Sequence, residues 1–421
     1  MFPCWPAATG GRSRSTVNRH ASQLTMQTTA ASAPLELREG RFARLEAIEW
    51  WDQSLLERSH VLVIGAGALG NEVLKNLALL GIGHVAVVDM DHVELSNLSR
   101  SVLFRETDEG KSKAECAARA ARNIFPAQHI QPLVGNVLAD VGLGWFRWAD
   151  AVIGALDNRE ARVFVNSSCS RVNRPWFDGG IEVLNGVMRG FAPPRTACYE
   201  CTMSQTDWDL INKRRSCSLL ARRAIANRGT PTTPTTASII GAMQVQEMIK
   251  HLHGRDALLG RGFVFEGTHH SSYTVQYPLN PDCPWHEPAA EIVTCDKFSS
   301  DTPLKEIWAG ASRRLSGLDA LDFAREIVAR LECSACGNTD EIWQPVEKID
   351  EDQARCSRCG GERTPAFIHS LASDSPALAK TAREIGLPLW EIIWARKGAE
   401  TIGIELSGDR ANALNFSNTS P

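Results

Sequence analysis

No run of apolar residues in this 421-residue chain approaches the roughly eighteen that a bilayer-crossing helix needs, so the sequence offers no membrane span. Charge of one sign is missing too. With 45 Lys and Arg against 49 Asp and Glu, the formal net charge is only −4, and no basic patch is present to neutralise a phosphate backbone. Neither a membrane surface nor a nucleic acid is the expected partner. Acids are absent from the first thirty-five residues, which are rich in Ser, Thr, Ala and Arg. That composition suits a transit peptide, a disordered tail over residues 1–38, or a chain whose true start is Met26, and it carries no functional signal. What remains is long enough for a large α/β domain plus a smaller one, each with a core.

The informative stretch follows. Apolar Val61 to Ile64 ends in Gly65-Ala-Gly67-Ala-Leu-Gly70, then Val73, Leu74, Leu77 and Leu80 recur at helical spacing, and a second apolar run ends at Asp89. This is a strand, a glycine turn, a helix and a second strand. Glycines there let backbone N–H groups reach a phosphate at the positive end of the helix, and an acid about twenty residues on is placed to accept from a ribose. Such a turn alone most often means NAD or FAD. The residues that follow argue otherwise: Asp91, Asn97, Arg100 and Lys113 in quick succession, then Asp157-Asn158 after the apolar Ala151–Ile153 run. Two fixed cations suit a reacting triphosphate, and an acid at a strand end suits Mg²⁺. The expectation is ATP with Mg²⁺.

These elements, in this order, resemble the ubiquitin-activating-enzyme superfamily and its ThiF-like adenylyltransferases. The pattern is Gly65/Gly67/Gly70, Asp89/Asp91, Asn97-Leu-Ser-Arg100, Gly110-Lys-Ser-Lys113, and Asp157-Asn158 with Arg162, over about Arg41 to Glu287. One departure is Ser101, where the family usually carries Gln. The resemblance implies a Rossmann-like, doubly wound α/β sheet over residues 39–298. It also implies ATP-dependent adenylation of the C-terminal glycine of a small β-grasp protein, with Asp89 on the ribose, Asn97, Arg100 and Lys113 on the phosphates, and Asp157 on Mg²⁺. Arg41-Phe-Ala-Arg44 matches a family segment whose second arginine, here Arg44, reaches the ATP of a partner subunit, which implies a homodimer.

The resemblance extends to sulfur. Cys198-Tyr-Glu-Cys201 and Cys283-Pro-Trp-His286 stand where the family carries two C-x-x-C pairs, so three thiolates and an imidazole would hold a structural Zn²⁺. Cys295 is the alternative fourth ligand. In related proteins a cysteine corresponding to Cys217 forms a thioester or persulfide; Lys213, Arg214 and Arg215 would raise its thiolate fraction. Its neighbours Leu219 and Leu220 equally suit a small buried residue on an amphipathic helix. Cys116 and Cys169 sit in apolar helical patterns and read as core.

Outside the resemblance, Cys333-Ser-Ala-Cys336 and Cys356-Ser-Arg-Cys359 read directly as a zinc ribbon. Paired C-x-x-C in an ATP-dependent enzyme points to zinc in a reducing, cytoplasmic setting rather than to disulfides. The ribbon lies in an expected C-terminal α+β domain, 299–421, with strands at Leu387–Arg396 and Thr401–Leu406. Trp390 and Trp394 would be core, or an exposed anchor docking a conjugating-enzyme-like partner. Upstream, Gly229–Ser238 reads as a proline-broken linker that caps a helix beginning near Ala237. Three functions stay open: modifier activation with a Cys217 thioester, sulfur-carrier adenylation, and a nucleotide-binding scaffold without chemistry.

Overall fold

The computed structural model describes residues 39–216, 219 and 231–415. The expected tail (1–38) and Cys217 lie outside the described residues.

The larger unit is an eight-stranded sheet. Strands β1 (His60–Ile64), β2 (His84–Asp89), β3 (His129–Val134), β4 (Ala151–Gly154) and β5 (Trp176–Glu182) are parallel, in the order β3-β2-β1-β4-β5. Helices α1 (Ala68–Leu80), α2 (Lys113–Ile124) and α3 (Arg159–Arg171) make crossovers. Their placement on both faces explains why the strands read as continuous apolar runs. Successive residues of one strand enter opposite cores: Val61 and Val63 pack with α1 and α2, whereas Leu62 and Ile64 pack with Phe146 and Trp176. The expected doubly wound sheet is therefore present, with an addition that the sequence pattern did not announce. Strands β6 (Asn185–Phe191), β7 (Arg261–Glu266) and β8 (Ser271–Gln276) continue it antiparallel.

Helix α1 ends where Gly81 adopts a left-handed conformation at φ 76°. Helix α4 (Gln205–Ser216) precedes Cys217. Helix α5 (Pro234–Leu252) begins three residues before the expected Ala237, because the Thr233 side chain accepts from the Thr236 N–H and Pro234 fills the first turn, where no N–H is needed.

The second unit is a six-stranded sheet. Its order is β11 (Thr339–Pro345), β10 (Ala320–Cys333), β13 (Ile392–Lys397), β14 (Glu400–Glu405) and β9 (Glu291–Thr294), with β12 (Arg363–Leu371) also paired to β10; helix α6 (Leu304–Leu315) packs beside it. Two expectations are corrected. The boundary expected at 298/299 falls earlier, because β9 pairs in parallel with β14 and so belongs to the second sheet. The strand expected from Leu387 begins only at Ile392, and the chain turns sharply through Trp390 at φ 58°.

Trp390 and Trp394 are 2% and 3% exposed, so the core reading holds and neither is an exposed anchor. Trp390 packs on Trp145 at 5.4 Å and donates from Nε1 to Glu405 Oε1 at 2.6 Å. Beside it Glu391 accepts from Arg325 Nη2 (2.6 Å) and from the Leu143 N–H (3.1 Å), while Arg325 also donates to the carbonyls of Leu138 and Val141. Both charges are only 2% exposed. The joint between the two units thus combines apolar packing with a buried Arg325–Glu391 ion pair.

Candidate nucleotide and metal sites

In an open parallel sheet the crevice lies at the carboxyl ends of the strands, where the strand order reverses. Here that point is between β1 and β4. The chain leaves β1 through Gly65, whose N–H donates to the Val88 carbonyl, while the Ala155 N–H donates to the Ile64 carbonyl. The three glycines have three different reasons. Gly65 sits at φ 101°, and a Cβ there would lie 2.3 Å from the Ala155 oxygen. A Cβ on Gly70 would lie 1.9 Å from the Gly65 oxygen, so the helix can approach the loop only without one. A Cβ on Gly67 would meet nothing within 4 Å. Gly67 is the N-cap of α1 and faces open space, the geometry that leaves room for an anion at the helix N-terminus.

Asp89 ends β2. Its carboxylate accepts from the Ala66 N–H (2.7 Å) and the Asp91 N–H (2.8 Å), which ties the glycine turn to the second strand. Burial raises its pKa, and those two N–H groups oppose the rise. Lys113 opens α2 and pairs with Asp91 at 3.0 Å; Lys113 is largely covered and Asp91 largely exposed. Asn97 is buried, and its side chain closes a one-turn helix by accepting from the Glu94 N–H at 3.0 Å. Arg100 donates to the Ser96 carbonyl at 2.8 Å, and among the described residues no carboxylate forms an ion pair with it. Beyond β4, Asp157 is exposed and accepts from Asn158 Nδ2 at 3.2 Å, while Asn158 caps α3 by accepting from the Ala161 N–H. Arg162 is turned inward. It pairs at 2.8 Å with Asp178, which is fully buried and also held by Arg189.

Two residues near this edge escaped the sequence reading. Asn71, fully buried, donates to the carbonyls of Ala66 and Gly67 and accepts from the Leu103 N–H. Its one signal was a polar side chain on an otherwise apolar helix face. Gln244, also fully buried, donates to the carbonyls of Gly154 and Phe177 and so locks α5 onto β4 and β5.

Arg44 is not brought to this site within one chain. It is exposed in the one-turn helix Ala43–Glu46. Its neighbour Phe42 stacks edge-on against Phe125 at 5.6 Å and closes against Gly81. Both contacts lie at the C-terminal ends of α2 and α1, the edge of the sheet opposite the glycine turn.

The sulfur clusters assemble as expected. Cys198, Cys201, Cys283 and His286 bring their donor atoms within 4.8 Å of one another, as do Cys333, Cys336, Cys356 and Cys359. Sulfur pairs stand 3.8 Å (Cys198–Cys201), 3.5 Å (Cys198–Cys283), 3.5 Å (Cys333–Cys359) and 3.7 Å (Cys336–Cys356) apart. Two thiolates each about 2.3 Å from one tetrahedral ion would be ~3.8 Å apart, so both sets fit Zn²⁺. His286 presents Nε2 to Cys201 Sγ at 3.0 Å. Cys295, the alternative ligand, instead packs in the second unit beside Phe298. Leu219, two residues beyond Cys217, is buried among Val328, Leu331, Val346 and Ile349 of the ribbon. Among the described residues no helix is long and apolar enough to cross a membrane.

Known proteins resemble this chain over part of its length. The Nedd8-activating enzyme E1 catalytic subunit of Drosophila melanogaster is 38% identical over 179 residues, covering 39% of this chain and 39% of that protein. Ubiquitin-like modifier-activating enzyme 7 of Homo sapiens is 40% identical over 161 residues, covering 36% of this chain and 16% of that protein. The chain thus spans well under half the length of these curated relatives. Among solved structures, E. coli MccB with ATP aligns with 60% of this chain and 75% of its own, at a TM-score of 0.49 and 22% identity. The model of the ThiF family matches residues 40–285, more than half of the sequence, and the chain belongs to that family.

Proposed function

We propose that this chain uses Mg·ATP to adenylate the C-terminal glycine carboxylate of a small ubiquitin-like protein of the β-grasp type. What supports the reading is the glycine turn: the helix N-terminus at Gly67 is open, the turn is tied to Asp89 through the Ala66 N–H, Lys113 pairs with Asp91 two residues beyond Asp89, and Arg100 has no acid engaging it among the described residues. A hydride-transfer site has no use for those cations, whereas a triphosphate under attack by a carboxylate does. Residues 40–285 share the family of enzymes named for activating Nedd8 and other ubiquitin-like modifiers.

The chemistry follows from charge. Carboxylate and triphosphate are both anions, so the barrier lies in bringing them together rather than in moving a proton. Asp89 holds the ribose, and the N–H groups of the glycine turn with Asn97, Arg100 and Lys113 hold the phosphates. Bound on Asp157, Mg²⁺ would offset further phosphate charge. The carboxylate oxygen attacks the α-phosphorus, the bond to the bridging α–β oxygen breaks, and pyrophosphate leaves. The Cys217 thiolate then attacks the acyl carbon; the anhydride C–O bond breaks, AMP leaves, and the thioester passes to a conjugating-type partner. Arg44, remote from its own chain's site, completes that of a second copy across a two-fold. Zn²⁺, held by Cys198, Cys201, Cys283 and His286 and by Cys333, Cys336, Cys356 and Cys359, would be structural, because each set already offers four ligands.

The test is ATP–pyrophosphate exchange driven by a candidate β-grasp protein ending in Gly. Lys113→Ala or Asp157→Ala abolishes exchange, whereas Cys217→Ala spares it and removes the thiol-labile adduct. Exchange that persists in the first two variants contradicts the site assignment, and an adduct that survives in the third places the nucleophile elsewhere.

A further inference from the structure

Asn71 is the second residue after Leu69 in the first turn of α1, and nothing of it is exposed. A buried amide has two donors and one acceptor to satisfy, and leaving any of them unpaired costs about 1–3 kcal/mol. All three are satisfied here by backbone, on two separate segments. Nδ2 donates to the Ala66 carbonyl at 2.7 Å and the Gly67 carbonyl at 3.1 Å, inside the glycine turn. Oδ1 accepts from the Leu103 N–H at 2.8 Å. Leu103 follows Arg100 by three residues, and together with Phe104 it is buried in the core beneath α1. Between them Ser101 is buried and its carbonyl accepts from the Phe104 N–H, so the backbone from Arg100 to Leu103 is a short turned link.

The geometry points to Asn71 as a positioning residue that clamps the Arg100 loop to the phosphate-binding turn. It touches no ligand. Its amide fixes the distance between two groups meant to engage the same triphosphate: the N–H groups around Gly67 and the guanidinium of Arg100. Among the described residues the Arg100 guanidinium is hydrogen-bonded to the Ser96 carbonyl, so its placement rests on the loop to which it belongs. Asn71→Ala removes the side-chain partner of the Ala66 carbonyl and of the Leu103 N–H, while the Gly67 carbonyl keeps the backbone N–H of residue 71, and the two segments lose their common brace. A role confined to stability would lower the melting temperature without caring whether Arg100 is present. A clamp acting through Arg100 would not.

This inference rests on the proposed nucleotide site, and a double-mutant cycle in Mg·ATP affinity, measured by calorimetry on the full chain, separates the two. In the wild-type background Asn71→Ala should weaken Mg·ATP binding by about tenfold; with Arg100→Ala already in place, the same change should cost less than about twofold. Equal losses in both backgrounds overturn the inference. Should Asn71→Ala not fold, Asn71→Ser, which retains one hydroxyl donor but cannot span both segments, runs the same cycle with the same criterion. If wild type binds no Mg·ATP, the nucleotide reading fails; if wild type binds and the cycle is additive, only the clamp fails.

Discussion

Gly67 and Gly70 lie three residues apart in one turn, and the structure predicts opposite consequences for adding the same methyl group to each. At Gly70 the new Cβ would lie 1.9 Å from the Gly65 oxygen, more than about 1 Å inside ordinary contact, so α1 must back away from the loop. The gain of about 1 kcal/mol that Ala normally brings to a helix interior does not offset that. At Gly67 the Cβ meets nothing within 4 Å, and φ −72° is open to any residue. The stability cost there is at most ~1 kcal/mol from a poorer N-cap, a melting shift of about 4 °C or less. The methyl does, however, occupy the open space at the helix N-terminus that we propose for the phosphate. Losing one charge-assisted hydrogen bond of ~1.5–3 kcal/mol weakens binding roughly 10- to 150-fold. Thermal melting and Mg·ATP calorimetry on both variants give the readout: Gly67→Ala keeps its fold and loses its ligand, and Gly70→Ala loses both. If Gly67→Ala binds Mg·ATP within about threefold of wild type, the turn is not a phosphate cradle and the reasoning fails.

Three further outcomes follow from other parts of the molecule. Glu391→Ala leaves Arg325 buried and unpaired and should destabilise the joint by about 3–5 kcal/mol, whereas the double change Arg325→Met with Glu391→Leu costs much less; urea unfolding followed by Trp fluorescence compares them. Metal analysis of the full chain should give two zinc ions, and His286→Ala one; a full complement in that variant would exclude His286 as a ligand. Burial, with Glu160 and Glu326 nearby, pushes Glu347 up to about 7. The folded protein therefore binds that proton more tightly than the unfolded chain does, and stability is gained as pH falls through 7 toward the usual carboxylate range. Glu347→Gln should be more stable than wild type at pH 8 and should lack this gain on acidification; matching melting curves from pH 8 to pH 5 would refute the assignment.

What could be read in advance was local. Gly65, Gly67, Gly70 and Asp89 obey constraints set within one strand–turn–helix unit, so their spacing alone marks the crevice. The ribbon cysteines are equally explicit, since a metal demands its ligands at fixed short intervals. What stayed hidden depended on distant pairings. Asn71 acquires its role from Leu103, on a loop with no pattern of its own. The domain boundary moved because Glu291–Thr294 finds its partner only at Ile402–Glu405, across most of the second unit. The stretch from Leu387 reads as a strand by its apolar content, yet Trp390 is spent on filling a cavity over Gly144 and the chain must turn to deliver it. Asp178 shows no pattern at all, and its importance appears only when Arg162 and Arg189 converge on it.

On the proposed reading, the crevice beside Gly67 takes a triphosphate that is to be attacked, not a dinucleotide that exchanges hydride. Calorimetric titration of the full chain with Mg·ATP, and separately with NAD and FAD, tests it most directly. Saturable Mg·ATP binding that Lys113→Ala weakens at least tenfold, with no heat from either dinucleotide, is the predicted result. Binding of NAD or FAD with none of Mg·ATP would contradict the account.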